Sequence, residues 1–89
     1  MKTAPGLAWT HLTLGRTLAA AKDYEKAYQA VSRAIEMAPH DAEGYAARCN
    51  ICLALGKREE AKADMERALS LDPGVREELG DSVESLKNG

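Results

Sequence analysis

The apolar positions along this chain recur at the spacing of an α-helix rather than at the alternation of a β-strand. Four segments show steps of three and four residues between apolar side chains, and they cover residues 8–21, 24–37, 42–55 and 58–71. The first segment carries a stripe that is expected to face the core and that consists of Leu7, His11, Leu14 and Leu18. The pattern therefore predicts an all-α fold.

Turn-forming and capping residues separate these segments. A short turn at residues 22–24 divides the first pair, and Gly56 with Lys57 divides the second pair. Pro39 ends the second segment because proline cannot continue a helix, and Asp41 can cap the helix that follows. The four segments therefore pair into two helix–turn–helix units.

The two units are related by a shift of 34 residues. This shift places residues 25–39 on residues 59–73 and superimposes five identical residues. These are Glu25, Ala27, Arg33, Ala34 and Pro39, which fall on Glu59, Ala61, Arg67, Ala68 and Pro73. Several other positions exchange apolar residues of similar size. Such agreement at helical spacing indicates an internal repeat.

The repeated unit resembles the tetratricopeptide repeat, whose pattern is W-x2-L-G-x2-Y, then A-x3-F, then P. In residues 8–41 the pattern falls on His11, Leu14, Gly15, Leu18, Ala27, Val31 and Pro39. In residues 42–75 it falls on Tyr45, Arg48, Cys49, Cys52, Ala61, Met65 and Pro73. The small and proline positions match, whereas the large aromatic positions largely do not. Because Arg48 stands at a leucine position, its stem is expected to pack while its guanidinium reaches solvent or a carboxylate.

The resemblance implies a right-handed α-solenoid of two repeats that form a single domain over residues 1–89. Residues 75–87 follow the second repeat with one narrow apolar stripe, formed by Val75, Leu79, Val83 and Leu86. Helical arrays need such a polar-backed element to cover their last helix, so a capping helix is expected there. Gly80 in its middle costs about 1 kcal/mol relative to alanine. Residues 1–6 are expected to be flexible.

Composition and charge argue against several classes of partner. The chain is 45% hydrophobic and 29% charged with a net charge of -2, and its basic residues are scattered. A nucleic-acid partner is not expected, since nucleic-acid binders concentrate basic charge on one face. No apolar run approaches the roughly 18 residues of a membrane span, and the N-terminus lacks a secretory signal. A cytoplasmic protein with reduced cysteines is therefore expected.

Cys49 and Cys52 form a C-x-x-C pair that is open to three interpretations: a redox pair, half of a metal site, or packing. In the repeat, Cys49 stands at the small position filled by Gly15 in the first unit, and Cys52 at an inward position. A redox pair needs a helix N-terminus to lower its thiol pKa, but this pair lies mid-helix. Structural zinc sites use four ligands at set spacings, and besides this pair the chain has no second C-x-x-C and only His11 and His40. Packing is the favoured interpretation, with a thiol or metal protein as the alternative.

Other chemistry is not supported by the sequence. There is no glycine-rich phosphate loop, and no histidine–carboxylate arrangement at a spacing known from catalysis. We therefore expect no enzyme activity, no cofactor and no small-molecule substrate. The expected function is a non-catalytic protein–protein interaction module that binds a peptide, a helix or a second copy of itself. An alternative is a fragment of a longer repeat scaffold.

The resemblance places the partner-binding groove on the first helix of each repeat. The predicted groove residues are Trp9, Leu12, Thr13, Arg16, Glu43, Ala46, Asn50 and Leu53. Further groove positions hold alanines that are interpreted as helix formers, namely Ala19, Ala20, Ala47 and Ala54. Some family members bind acidic chaperone C-termini through basic groove residues, but only Arg16 is basic here. The groove is therefore predicted to be apolar with two polar points, Arg16 and Asn50.

Trp9 admits two interpretations. It either folds back over the edge of its own core, or joins Leu12, Ala46 and Leu53 in an exposed apolar patch. Two repeats fall short of the three or so that a stable stack usually needs, so pairing through this patch predicts a homodimer. The side of the first helix that would meet a preceding repeat carries Thr10 and Thr17, which suit an end that meets water. The chain is therefore expected to be a complete array.

Overall fold

In the computed structural model the chain forms two antiparallel helical hairpins followed by a capping segment. Its backbone is described for residues 5–88, and its side chains for residues 7–80 and 82–86. The helices are α1 (Pro5–Ala20), α2 (Tyr24–Met37), α3 (Ala42–Leu55), α4 (Arg58–Leu71), α5 (Arg76–Leu79) and α6 (Asp81–Asn88). A 3₁₀ turn at Pro73–Val75 precedes α5. Within this part of the chain, no helix is long and apolar enough to cross a membrane.

The predicted helix boundaries are confirmed for α2, α3 and α4. The first helix starts earlier than predicted, at Pro5 rather than at residue 8. Proline is favourable at the first helical position because its missing N–H has no intrahelical partner there. Residues 5–6 of the predicted flexible N-terminus are therefore helical, while its residues 1–4 lie outside the described part of the chain.

The same tight turn joins the helices of each hairpin. Gly56 ends α3 in the left-handed conformation with φ of 82°, and Lys22 takes its place after α1 with φ of 66°. The next amide, that of Lys57, donates to the Cys52 carbonyl oxygen at 2.8 Å, and the first hairpin has the equivalent bond. This bond satisfies a carbonyl group at the helix end. The two helices of a repeat are thus fixed in antiparallel contact by a turn of two or three residues.

The helices of each hairpin approach closely at a small residue. A Cβ added to Gly15 would lie 2.2 Å from Cγ2 of Val31, so only glycine fits against α2. In the second hairpin this position is held by Cys49, which is fully buried, and Met65 stands at the position of Val31. The prediction that Cys49 fills a close helix–helix contact is confirmed.

Among the residues whose side chains are described, the core divides into two clusters that share helix α3. The first lies between the two hairpins and consists of Leu12, Ala27, Val31, Ala34, Ile35, Ala47 and Ile51. The second lies between α3, α4 and the cap, and includes Ala42, Ala46, Cys49, Cys52, Ala61, Met65 and Ala68. Helix α3 therefore contributes one side to each cluster and connects the two repeats.

The stripe of α1 that was predicted to face the core lies only partly in it, since Leu18 packs against the first cluster whereas other members are exposed. Leu7 and Leu14 are 52% and 48% exposed, and the buried side of the helix instead contains Ala8, Leu12 and Gly15. The reason is the contact at Gly15. Helix α2 can approach α1 only where a side chain is missing. The residues on the same side of α1 as Gly15 are therefore buried in the interface between the two helices.

Arg48 connects the two repeats. Its Nε and Nη2 each donate to one carboxylate oxygen of buried Asp64 at 2.9 Å, and its Nη1 donates to Oγ of Ser32 at 3.2 Å. The guanidinium also lies over the ring of Tyr28, 5.8 Å from its centroid. The expectation that the head group reaches a carboxylate is confirmed. The contact between α2, α3 and α4 is therefore polar at its centre.

The capping segment is broken where a continuous helix over 75–87 was predicted. Gly80 separates α5 from α6 with φ of 57° and ψ of −130°. The break reorients the chain so that all four residues of the predicted stripe are buried in the second cluster, namely Val75, Leu79, Val83 and Leu86. Asp72 starts the segment by accepting a bond from the Gly74 amide at 2.9 Å. The stripe is confirmed, and the continuity of the helix was wrong.

Candidate functional site

A cleft of about 290 Å³ lies where the two repeats and the cap meet. Its walls come from α1, α2, α3 and α5, and it is lined by Arg16, Ala19, Tyr24, Ala47, Asn50, Ile51, Ala54 and Glu78. Most of these side chains are small or apolar. The alanines on α1 and α3 leave the space that larger residues would fill, so the cleft is a depression with an aliphatic floor.

Two polar side chains stand at equivalent positions of the repeats, one on each side of the cleft. Arg16 on α1 donates a hydrogen bond to the Glu78 carboxylate and lies 3.9 Å from a carboxylate oxygen of Glu43. Asn50 on α3 accepts a hydrogen bond from the Ser82 hydroxyl. Both polar points are thus engaged by the capping segment, which closes one end of the cleft.

The charge around Arg16 is more negative than positive. Partial burial raises the pKa of Glu78, with further raising from Glu43 and Asp41, while Arg16 acts in the opposite direction. A raised pKa means that the surroundings, and burial most of all, disfavour the charged form of Glu78. A ligand carboxylate would therefore compete with two glutamates for a single guanidinium.

The predicted groove residues divide between the cleft and the core. Arg16 and Asn50 line the cleft, whereas Thr13 and Glu43 are exposed outside its lining. Leu12 and Ala46 are 2% and 0% exposed, so they lie in the core and not in the lining of the cleft. They lie one turn from the small residues Gly15 and Cys49, on the side of each helix that packs against its hairpin partner.

The apolar patch predicted around Trp9 does not form. Leu53 is half-buried and packs against the second core cluster, so it does not stand free beside Trp9. Trp9 itself is 64% exposed, which contradicts the interpretation that it covers its own core. It also lies outside the lining of the cleft. Trp9 is therefore an exposed indole on α1 that belongs neither to the two core clusters nor to the lining of the cleft.

The sequence interpretation missed several residues of the cleft. Ala19, Ala47 and Ala54 were placed in the groove register but interpreted as helix formers, although their small size creates the space. Tyr24 could have been found from its position at the start of α2, next to the end of α1. Glu78 reaches the cleft from the capping segment, and no sequence signal placed that segment against Arg16.

The two cysteines are packed and unbonded. Both are fully buried, and neither forms a disulfide. Burial raises the pKa of Cys49 to about 11 and that of Cys52 to about 12. The thiolate is the reactive form of cysteine, and it is scarce at neutral pH when the thiol pKa is this high. The interpretation of the C-x-x-C pair as core is confirmed.

Ligand atoms of Cys52, Glu60 and Asp64 lie within 4.8 Å of one another, a grouping that could in principle hold a metal ion. Both oxygens of Asp64 accept bonds from Arg48, and Glu60 accepts one from the hydroxyl of Tyr28. The bond to Glu60 is the main reason that the pKa of Tyr28 rises to about 12. Because these oxygens already have protein partners, the grouping is a polar network between the repeats rather than a set of free ligands.

Comparison with known proteins locates the same two units. Sequence models described as tetratricopeptide repeat match residues 7–41 and 42–75. The chain is 36% identical over 58 residues to DnaJ homolog subfamily C member 7 of Mus musculus. The matched stretch covers 65% of this chain and 12% of that protein. It is 42% identical over 53 residues to Protein SGT1 homolog of Oryza sativa subsp. japonica, covering 60% of this chain and 14% of that protein. The chain thus spans a small part of both relatives.

Proposed function

This chain belongs to the tetratricopeptide repeat family, and from that premise we propose that it is a non-catalytic module that binds a peptide or helix of a partner protein in the cleft between its repeats. Repeats of this family serve as protein-interaction modules. The observation that carries the proposal is the cleft itself, which is apolar on its floor and has hydrogen-bonding groups at two points. Apolar sites with a few placed polar groups are typical of binding sites.

The lining suggests the chemistry of the bound segment. The alanine floor favours a side chain of modest size and apolar character. The amide of Asn50 offers hydrogen bonds once the bond from Ser82 is exchanged, while Arg16 is held by Glu78. We therefore propose an apolar segment without an acidic terminus, bound through contacts with both repeats.

Peptides selected from a random library against the whole protein would test this proposal. Ala54→Glu places a carboxylate in the cleft and should weaken the selected peptides by about tenfold or more, as loss of a central contact does. Ala63→Glu is the matched control, because Ala63 is also an exposed helical alanine but lies outside the cleft. Equal loss of affinity in both variants would contradict binding in the cleft.

Self-association is a second candidate, and it rests on the exposure of Trp9. Tryptophan is enriched among the residues that dominate interfaces. Leu12 and Ala46 are buried and cannot take part in it. A contact between two copies would therefore combine Trp9 with exposed residues other than those predicted. Molecular mass measured over a wide concentration range for the wild type and Trp9→Ala tests this candidate. A mass that stays monomeric in the wild type excludes it.

A longer repeat scaffold and a thiol or metal protein are the two alternative functions of this chain. Action within a longer scaffold is supported by the relatives, in which the matched stretch is a small part of the whole protein. A thiol or metal function is disfavoured by the burial and raised pKa of both cysteines. We propose no catalytic role, and a cytoplasmic location stays a prediction.

A further inference from the structure

A second apolar surface, here called the outer face, lies on the first hairpin away from the cleft. It is a shallow depression of about 300 Å³ between α1 and α2, and it is lined by His11, Leu14, Leu18, Lys26, Gln29, Ala30 and Arg33. None of these residues lines the cleft. Leu14 is about half exposed, and so is Leu7 two turns earlier on the same side of α1. This is the stripe whose spacing predicted burial.

The second repeat shows what covers such a face. A shift of 34 residues places Leu14 on Arg48. Arg48 lies under α2, where it bonds Ser32 and contacts the ring of Tyr28. On the same side of α3, a Cβ added to Gly44 would lie 3.0 Å from Ile35 of α2. The face of the second repeat is therefore covered by the single helix α2. Its contacting residues Tyr28, Ser32 and Ile35 are spaced four and three residues apart.

The outer face differs from its covered counterpart in polarity. In the second repeat, Arg48 and Asp64 form an ion pair that presents a polar group to Ser32. The corresponding residues of the first repeat are Leu14 and Ala30, which offer no hydrogen bond. A helix lying on the outer face would consequently need an aliphatic side chain where α2 has Ser32, because a polar group would lose water without gaining a partner.

The outer face also differs in charge. Glu60 of the second repeat accepts a hydrogen bond from Tyr28, and the corresponding residue of the first repeat is Lys26. Arg33 adds a second positive charge, and the described residues that line the depression include no acid. Lys26 lies 3.8 Å from Asp23, but both side chains are well exposed, so their interaction is weak. The rim therefore favours a carboxylate on a docked helix, at the position that Tyr28 occupies in α2.

We propose that the outer face docks an amphipathic helix of a partner protein that carries aliphatic residues along one side and an acidic residue one turn before them. The position of that helix follows α2 on the second repeat, and its chemistry follows the replacement of Arg48 and Glu60 by Leu14 and Lys26. A second copy of this chain is disfavoured as the occupant. Two outer faces in contact would bring Lys26 and Arg33 of both copies together, and like charges at an interface oppose association.

The helix α2 itself supplies a probe. A stapled peptide with the sequence of residues 24–37 and the changes Tyr28→Glu and Ser32→Leu carries the proposed chemistry, while the unchanged peptide is its control. Stapling is needed because a helix this short is marginal in water. Titration into the ¹⁵N-labelled whole protein should give saturable shifts of the Leu14 and Leu18 amides. The control peptide should bind about tenfold more weakly, as expected for loss of one apolar and one charged contact.

Variants of the protein separate the outer face from the cleft. Leu14→Arg copies the second repeat at an exposed position, so folding should persist while the probe loses about tenfold in affinity. Lys26→Glu should weaken the probe several-fold, and a probe with Lys at the position of Tyr28 should bind this variant better than the wild type. Ala54→Glu, which tests the cleft, should leave the probe unaffected. The proposal is overturned by unsaturable or cleft-localised shifts, by equal affinity of both peptides, or by concentration-dependent shifts at Leu14 and Leu18 in the protein alone.

Discussion

At the residue scale, the two repeats fill the same left-handed turn position differently. Gly56 adopts a positive φ without steric cost, whereas Lys22 adopts one that disfavours any residue with a Cβ. Nothing lies within 4 Å of a Cβ added at Gly56, so substitution there changes the backbone energy and little else. The pair therefore isolates the cost of the left-handed conformation within one molecule.

Lys22→Gly should stabilise the protein by about 0.5–1 kcal/mol, because relief of the strained φ exceeds the added flexibility of the unfolded chain. Gly56→Ala should destabilise it by about 1 kcal/mol for the opposite reason. Urea unfolding at fixed pH measures both free energies. A loss of stability in Lys22→Gly would show that the lysine side chain makes a contact that matters more than its backbone strain.

The buried cysteines predict slow native reactivity and a loss of stability in alkali. Their pKa values lie above that of an unfolded thiol, so their contribution to stability is complete below the unfolded value and is lost as pH rises through the folded values. That contribution should decline as pH rises from about 9 towards 11 and 12, with Tyr28 acting in the same direction at the upper end. Unfolding curves recorded from pH 7 to 11 measure this decline in the free energy of unfolding.

Cys52→Ala should lower stability by about 1–2 kcal/mol as a small core truncation, and partner binding should be unchanged. An aromatic disulfide reagent should modify both wild-type thiols quickly in denaturant and slowly in buffer. Fast reaction of both thiols in the native protein would contradict their assignment to the core.

At the element scale, α1 shows where sequence periodicity stops being informative. The helix has two apolar stripes at helical spacing, one through Leu7 and Leu14 and one through Ala8 and Leu12. Periodicity favours the stripe with the larger side chains, and the structure buries the smaller one. The choice depends on the contact between Gly15 and Val31, which belongs to two helices and is not visible in either alone.

Other elements were predictable in different degrees. The boundaries of the three helices from Tyr24 to Leu71 followed from Pro39, Asp41 and Gly56, because these residues act locally. The break at Gly80 was missed, since a glycine within an amphipathic pattern can remain helical at modest cost. Of the candidate site, Arg16 and Asn50 were found from the repeat register. Glu78 was not found because its place depends on the direction that the chain takes in the cap.

The ion pair between Arg48 and Asp64 should be replaceable only as a pair. Asp64→Ala alone should cost about 2–3 kcal/mol, somewhat below the range for a fully buried pair because Arg48 retains some exposure. The double variant Arg48→Leu with Asp64→Ala copies the residues found at Leu14 and Ala30 and should cost much less than the two single variants combined. Unfolding free energies of the four proteins complete the cycle. Additive losses would mean that the pair contributes no coupling.

At the scale of the whole molecule, the two core clusters divide the chain unequally. The first is made by the two hairpins, whereas the second needs the capping segment for Val75, Leu79, Val83 and Leu86. The same segment supplies Glu78 and Ser82 to the polar points of the cleft. The cap therefore stabilises the second repeat and shapes the cleft, while the outer face of the first repeat is independent of it.

Gly80→Ala tests this division because it acts on the junction between α5 and α6. With φ of 57° and ψ of −130°, the position is one that residues with a Cβ rarely adopt, so the substitution should cost about 1–3 kcal/mol. Space is not the cause, since the nearest atom to an added Cβ is the Glu77 carbonyl oxygen at 3.9 Å. Hydrogen exchange should show protection lost first at Val83 and Leu86, then in α3 and α4, with α2 least affected. Ala63→Gly, which weakens α4 without touching the cap, is the control. Equal loss of protection in both hairpins of Gly80→Ala would contradict the division of the core.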